Sequence, residues 1–215
     1  MLSSVDTLKE RFTDEQPLPG LLVVNRLLDE VSAGMLRAAC SQGDYATYCV
    51  FTKEEEPGKF QSRFTEPEEG ATYVTIHHRA RGPSPQLLAV RDRLASPEVI
   101  QFLNRMTGLS LSRLGQPDVL TLWEAWSFIE PHTDMGTSGE PPKLVISLSL
   151  TEGWKPEYGG RTTFAWSNAQ RSITLEPRFN QAVIFAPFEG SVHWVEQLTE
   201  AAPPRTRFTW TLHYL

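Results

Sequence analysis

Thr206-Arg207-Phe208-Thr209-Trp210-Thr211-Leu212-His213-Tyr214, near the end of the chain, alternates strictly. Phe208, Trp210, Leu212 and Tyr214 fall on one face, and Arg207, Thr209, Thr211 and His213 on the other; Arg205 continues the same face. A period of two is a strand signal, and an apolar face of this kind packs on a core. Working back toward the N-terminus, further short runs of strand character occupy 119–123, 144–151, 160–166, 171–175, 182–185 and 192–196, broken by turn residues. No helical period intervenes between 117 and 215, so the strands are expected to close into an antiparallel sandwich or barrel.

Upstream of residue 117 the signals are helical. The stretch 29–42 places Val31, Met35, Leu36 and Ala39 on one face, and 85–94 is a second helix. Ser96-Pro97-Glu98 combines an N-cap, a proline at the first helical position and an early acid, opening a helix through Ile100, Phe102, Leu103 and Met106 to Gly108. The acidic, Gly/Pro-punctuated segment 52–70 shows neither period and reads as a long loop or hairpin, either solvated or serving as a lid. The expected class is α+β: a single domain, 1–215, with helical support from 1–116 packed outside a jelly-roll core at 117–215.

Composition narrows the partners. The 215 residues, 40% hydrophobic, suit one core. Lys plus Arg less Asp plus Glu is 20 − 26 = −6, with no basic run, which excludes nucleic acid as the expected partner. Cys40 and Cys49 are too few to staple the chain, and Met1 to Asp6 carries no basic, apolar leader. No stretch approaches the roughly 18 apolar residues of a membrane span. A cytoplasmic protein that meets neither nucleic acid nor membrane is expected; its oligomeric state is not readable.

Only five histidines are present. In an extended segment, His132 and Asp134 of His132-Thr133-Asp134 point to the same side, so an imidazole and a carboxylate enter one cavity. His193, in Ser191-Val192-His193-Trp194-Val195, is the candidate third ligand. Two His and one carboxylate on one face of a metal leave the opposite positions open, an arrangement suited to non-haem Fe(II), although zinc accepts the same set. A lone His in a strand is more often a satisfied core residue than a ligand, and His-x-Asp alone is a weak motif. The arginine face adds weight, because a guanidinium inside a barrel needs an anion, and a dicarboxylate would supply one.

His132-Thr133-Asp134, Leu150-Thr151-Glu152-Gly153-Trp154-Lys155-Pro156-Glu157-Tyr158-Gly159-Gly160, Phe179-Asn180-Gln181-Ala182-Val183-Ile184-Phe185, His193-Trp194-Val195 and Arg207-Phe208 follow in order. Over 117–214 this resembles the Fe(II)/2-oxoglutarate-dependent oxygenases of the prolyl 4-hydroxylase-like type. The resemblance implies a double-stranded β-helix core, Fe(II) held by His132, Asp134 and His193, and 2-oxoglutarate on the metal with its far carboxylate on an arginine. By position that arginine is Arg207, with Arg205 in reserve. Ser149 falls where the family often has a tyrosine that donates to the cosubstrate, and Thr211 is a further candidate donor. Ala125 takes the place of the family's small turn residue between Trp123 and Trp126, and the connection from Val195 to Arg207 is long.

The implied reaction consumes O2, releases succinate and CO2, admits ascorbate as a reductant, and hydroxylates an unactivated C–H bond. Halogenating relatives lack the carboxylate that Asp134 supplies here. The expected substrate is of amino-acid type, free or a tailoring-pathway small molecule; a peptidyl residue such as proline is the alternative. More distant readings are a Zn-dependent jelly-roll enzyme and a non-catalytic anion-binding barrel. Of the remaining marked residues, His77-His78 beside Arg79 and Arg81 is expected at a solvated strand end or loop. His213 is expected to be structural or on a rim, and Trp154 with Gly159-Gly160 to form a packed turn. Trp123, Trp126 and Phe128 are expected in the core, one or two of them lining the substrate pocket.

Overall fold

The computed structural model describes residues 20–53, 59–67, 71–115, 118–135, 140–166, 171–188 and 190–215. Its elements are β1 (Leu21–Asn25), α1 (Glu30–Gln42), β2 (Tyr45–Lys53), β3 (Gln61–Phe64), β4 (Ala71–Ala80), α2 (Pro85–Leu94), α3 (Pro97–Thr107), β5 (Val119–Trp123), β6 (Phe128–His132), β7 (Leu144–Ser149), β8 (Thr162–Trp166), β9 (Arg171–Leu175), β10 (Gln181–Phe185), β11 (Ser191–Val195) and β12 (Arg207–Tyr214). All the strands join one curled antiparallel sheet of order β1-β10-β7-β12-β5-β4-β6-β11-β8-β9, with β2 and β3 attached beside β4. This is the expected jelly-roll-like core with helices outside.

β12 sits at the centre, paired with β5 on one side and β7 on the other. Its face of Phe208, Trp210, Leu212 and Tyr214 is fully buried against the helices, as the alternation predicts. The polar tips of these aromatics are satisfied, which lets them be buried without an orphaned donor. Trp210 Nε1 donates to Asp118 at 2.8 Å, Asp118 also accepts from Arg91 Nε at 2.8 Å, and Tyr214 Oη donates to the Leu94 carbonyl at 3.0 Å.

The three expected helices are present. Ser84 and Ser96 cap α2 and α3 by accepting from Leu87 N and Val99 N, and Gly108, at φ +72°, ends α3 in the left-handed conformation. Asp29 caps α1 through Ser32 N at 2.9 Å. The buried stripe of α1 differs from expectation: Ala33, Leu36 and Cys40 face inward, whereas Val31 and Met35 are 72% and 54% exposed. Small side chains at 33 and 40 let the helix backbone approach the sheet closely, and the larger Val31 and Met35 are turned outward.

The segment from 20 to 80 also contributes β1 to β4, four strands that sequence reading did not assign. Within 52–70, residues 61–64 form β3 and pair with β2 as a hairpin, while 54–58 and 68–70 lie outside the described residues, as do 1–19. β1 edges the sheet beside β10, and Asn180 ties the chain that follows it. The Asn180 amide accepts from Leu28 N at 2.9 Å and donates to Leu28 O at 2.7 Å from a backbone at φ +56°.

Inside the curl, one apolar group (Leu21, Val145, Phe164, Trp166, Val183, Phe185) and a second (Trp123, Val195, Leu198, Ala202) bound a cavity of about 150 Å³, into whose wall His, Arg, Thr and Asp side chains are also set.

Candidate active site

β6 ends in His132, and β11 carries His193 at its middle; the two are register partners, with a bulge between His193 and Val195. Their ring centroids are 4.2 Å apart. Asp134 follows β6 in a turn, where its carboxylate oxygens lie 3.9 Å from His132 Nε2 and 3.6 Å from His193 Nε2. All three ligand atoms fall within 4.8 Å of one another, the one such cluster of His, Cys, Asp or Glu among the described residues.

The protonation pattern suits metal binding. His132 Nδ1 lies 2.9 Å from the Glu130 carbonyl, so Nδ1 carries the proton and Nε2 keeps its lone pair toward Asp134. His193 stacks on Phe164 at 5.4 Å and meets Phe185 edge-on at 5.2 Å. Burial pushes its pKa down to about 4, against the opposing pull of Asp134, so it is a neutral donor near pH 7. Two imidazoles and one carboxylate gathered at one cavity are a donor set that would hold Fe(II).

Arg207 forms another part of the cavity wall. It is 3% exposed, its guanidinium lies 4.4 Å from the Trp123 ring centroid, and Nη2 donates to Thr162 Oγ1 at 3.3 Å. Nε and Nη1 are buried without a partner among the described residues. Desolvation lowers its pKa to about 9, which leaves it a cation near pH 7. Thr162 pairs with Val195, two residues along β11 from His193, a rise of about 7 Å. A buried cation with no anionic partner among the described residues and a three-ligand cluster therefore share one cavity.

The other expected site residues divide. Thr211 lines the cavity, as does Thr209, whose Oγ1 accepts from Trp123 Nε1 at 3.1 Å. Arg205 does not line it. The alternation stops at Thr206; Arg205, at φ +54°, turns to the C-terminal end of α1, donating to the Ser41 carbonyl at 3.0 Å and to the Gly43 carbonyl. Those carbonyls are the negative end of a helix, a good partner for a guanidinium. Ser149 is the register partner of Thr209 but lies beyond the cavity wall, its Oγ accepting from Thr151 N at 3.4 Å; Ser147, one pleat earlier on the same face, lines the cavity.

The cavity residues that escaped sequence reading include His77, Arg79 and His213. His77, expected at a solvated strand end, is buried in β4 and lines the cavity with Arg79. His213 is also part of the wall. The signal was the pair His77 and Arg79 at i, i+2, whose shared face becomes informative once β4 is seen to be a strand. Of the three aromatics ahead of the triad, Trp123 lines the cavity, Phe128 is half-buried, and Trp126 is 53% exposed at φ +71°. Trp154 does close a packed turn, donating from Nε1 to the Gly159 carbonyl at 2.8 Å.

Solved structures share this fold. The chain matches a prolyl-4-hydroxylase from Pseudomonas putida with a TM-score of 0.64 and 16% identity, covering 98% of each chain. It matches a prolyl hydroxylase from Trichoplax adhaerens, in complex with a hypoxia inducible factor oxygen degradation domain peptide fragment, with a TM-score of 0.64 and 13% identity over 98% of this chain and 90% of that one. A non-haem alpha-ketoglutarate-dependent epimerase from nogalamycin biosynthesis matches with a TM-score of 0.54 and 15% identity, over 97% and 80%. No curated protein matches the chain in sequence. The family model described as the 2OG-Fe(II) oxygenase superfamily matches residues 120–214, the stretch that carries the triad and Arg207. Over these residues the chain is similar to the 2OG-Fe(II) oxygenase superfamily, with the His132, Asp134 and His193 cluster inside the matched stretch.

Proposed function

We propose that the protein is a 2-oxoglutarate-dependent hydroxylase of an amino-acid-type substrate, with His132, Asp134 and His193 holding Fe(II) and Arg207 holding the far carboxylate of 2-oxoglutarate. The observation that carries this reading is the unpaired, buried Arg207 guanidinium in the cavity that the triad faces. Bound Fe(II), with 2-oxoglutarate and O2, supplies the oxidation of a C–H bond and releases succinate and CO2.

The chain's own residues do the rest. His132 and His193 present lone pairs, one held in its tautomer by the Glu130 carbonyl and the other kept neutral by burial. Asp134 brings the negative charge. Thr162 and the Trp123 face hold the Arg207 guanidinium in place. Phe164, Phe185 and Val145 make an apolar wall beside His193 that limits water.

A peptidyl prolyl substrate is the second reading, supported by the two prolyl hydroxylase neighbours, one of which is in complex with a peptide. Two buried cysteine thiols, Cys40 and Cys49, support a cytoplasmic location. The deciding experiment is a screen of free amino acids, prolyl peptides and cell extract for stimulated succinate release by the Fe(II)-loaded protein. Stimulation by a free amino acid or small molecule is the expected result. Stimulation by peptides alone moves the assignment to the second reading, and failure to turn over 2-oxoglutarate under any condition overturns both.

A further inference from the structure

We infer that Arg79 binds a carboxylate of the organic substrate, in a subsite separate from that of Arg207. The inference rests on the oxygenase reading above and deepens it by naming the substrate class: a small molecule with a free carboxylate.

Trp123 stands between the two arginines. In the sheet, β5 lies between β12 and β4; Arg207 is the register partner of Trp123, and Arg79 pairs with Thr121, one pleat along β5. Arg79 is held from two sides. Its Nε donates to His77 Nε2 at 3.0 Å, and its guanidinium carbon lies 3.5 Å from the centroid of the Tyr48 ring. Among the described residues no carboxylate pairs with it, and its terminal nitrogens are not among the buried unsatisfied atoms. Arg79 lines the cavity, and the Nη edge is the part of a guanidinium that takes a carboxylate in two parallel hydrogen bonds.

His77 adds an independent sign of a missing ligand. Accepting from Arg79 at Nε2 fixes its proton on Nδ1, and that Nδ1 is buried without an acceptor in a side chain only 2% exposed. An N–H donor stranded in a cavity wall marks where an acceptor belongs. Arg79 thus presents a guanidinium to the cavity on the side of Trp123 away from Arg207, and the His77 Nδ1–H is a separate donor on the far edge of the imidazole that Arg79 contacts.

The charges agree. Arg79 and Arg207 against Asp134 give the wall 2 − 1 = +1. A divalent metal and a dianionic cosubstrate cancel each other, so the +1 remains for the substrate. One carboxylate neutralises it; an internal residue of a polypeptide, with its carbonyl in a peptide bond, does not. A monocarboxylate neutralises it fully, whereas a zwitterionic amino acid offers Arg79 the same carboxylate without changing the net charge.

The test is isothermal titration under argon. The Fe(II)-loaded protein is first titrated with 2-oxoglutarate, and this step tests the oxygenase reading by itself. The saturated protein is then titrated with the standard amino acids and short-chain monocarboxylic acids, each paired with its primary amide. In the wild type at least one acid is expected to bind about tenfold or more tightly than its amide. In Arg79→Gln that ratio is expected to fall to within about twofold, while 2-oxoglutarate affinity stays within about twofold. Arg79→Lys, which keeps the charge, is expected to retain part of the preference and guards against a merely packing effect. The inference is overturned if no acid is preferred over its amide, if the preference persists in Arg79→Gln, or if Arg79→Gln weakens 2-oxoglutarate itself as much as it weakens the acid.

Discussion

His132 and His193 are register partners on adjacent strands, and the Asp134 carboxylate lies within 3.9 Å of both Nε2 atoms. Strand pairing positions the imidazoles and a turn positions the carboxylate, so the cluster is assembled by backbone geometry. The Glu130 carbonyl orients His132 and burial keeps His193 neutral, while Asp134 supplies the only carboxylate of the three. Asp134→Ala should therefore lower Fe(II) affinity by more than the tenfold to about hundredfold that loss of an outer-shell partner costs. Anaerobic equilibrium dialysis reads this directly, and an unchanged affinity removes Asp134 from the ligand set.

Arg207 should cost the empty protein stability. A guanidinium buried with two nitrogens unpartnered is desolvated without compensation, and replacing such a group by an apolar side chain of similar volume is often neutral or stabilising by about 1–4 kcal/mol. Arg207→Met is expected to unfold in urea at an equal or higher midpoint than the wild type in the absence of metal and 2-oxoglutarate. A marked fall would mean that the Trp123 and Thr162 contacts already compensate the charge, and that no anion is needed.

Gly160 connects the packed turn to the same arginine. At φ +71°, a Cβ there would stand 2.6 Å from Leu198 Cδ1 and 3.3 Å from Arg207 Cδ. Gly160→Ala is expected to destabilise the fold by about 1–3 kcal/mol through backbone strain and overpacking. Because Arg207 must shift, it should also weaken 2-oxoglutarate. Loss of stability with full 2-oxoglutarate affinity would show that Leu198 alone takes up the displacement.

His77 makes stability depend on pH. Burial, reinforced by Arg79, holds its pKa well below the ordinary 6.5, so between those values the unfolded chain binds a proton that the folded chain does not. Stability is complete above pH 6.5 and is lost as pH falls below it, by about 1.4 kcal/mol per pH unit for one proton. Burial lowers His193 and His213 in the same direction, so the informative quantity is a difference. Between pH 6.5 and 5, His77→Gln should show a shallower fall in unfolding free energy than the wild type, by about one proton's worth. Equal slopes would place His77 outside this account.

What was legible in the sequence follows from which faces are apolar. β12 could be read because one face is wholly apolar and the other polar, whereas β5, β7 and β10 could be read as short apolar runs bounded by turn residues. The triad could be read because its spacing needs only an extended backbone at 132–134 and a strand at 193. β4 escaped because Thr75, His77 and Arg79 make its cavity face polar while Ile76 and His78 on its other face are only half-buried, leaving no apolar period to detect. A strand facing a polar cavity loses the contrast on which such reading depends. Arg205 was misplaced for a different reason: the alternating pattern runs past the strand, and the positive φ that ends it is not visible in the residue type. The exposed Val31 and Met35 of α1 show the same limit, since the docking face was chosen by the small residues that fit the sheet.

In the proposed function the triad and Arg207 hold the two ends of one cosubstrate. Anaerobic titration of 2-oxoglutarate into wild-type protein and Arg207→Met, each with and without Fe(II), tests it most directly. The account predicts one-to-one binding that requires the metal and that Arg207→Met weakens by about thirtyfold or more, corresponding to at least 2 kcal/mol for a lost buried charge partner. Binding that is indifferent to Fe(II), or equally tight in Arg207→Met, would contradict it.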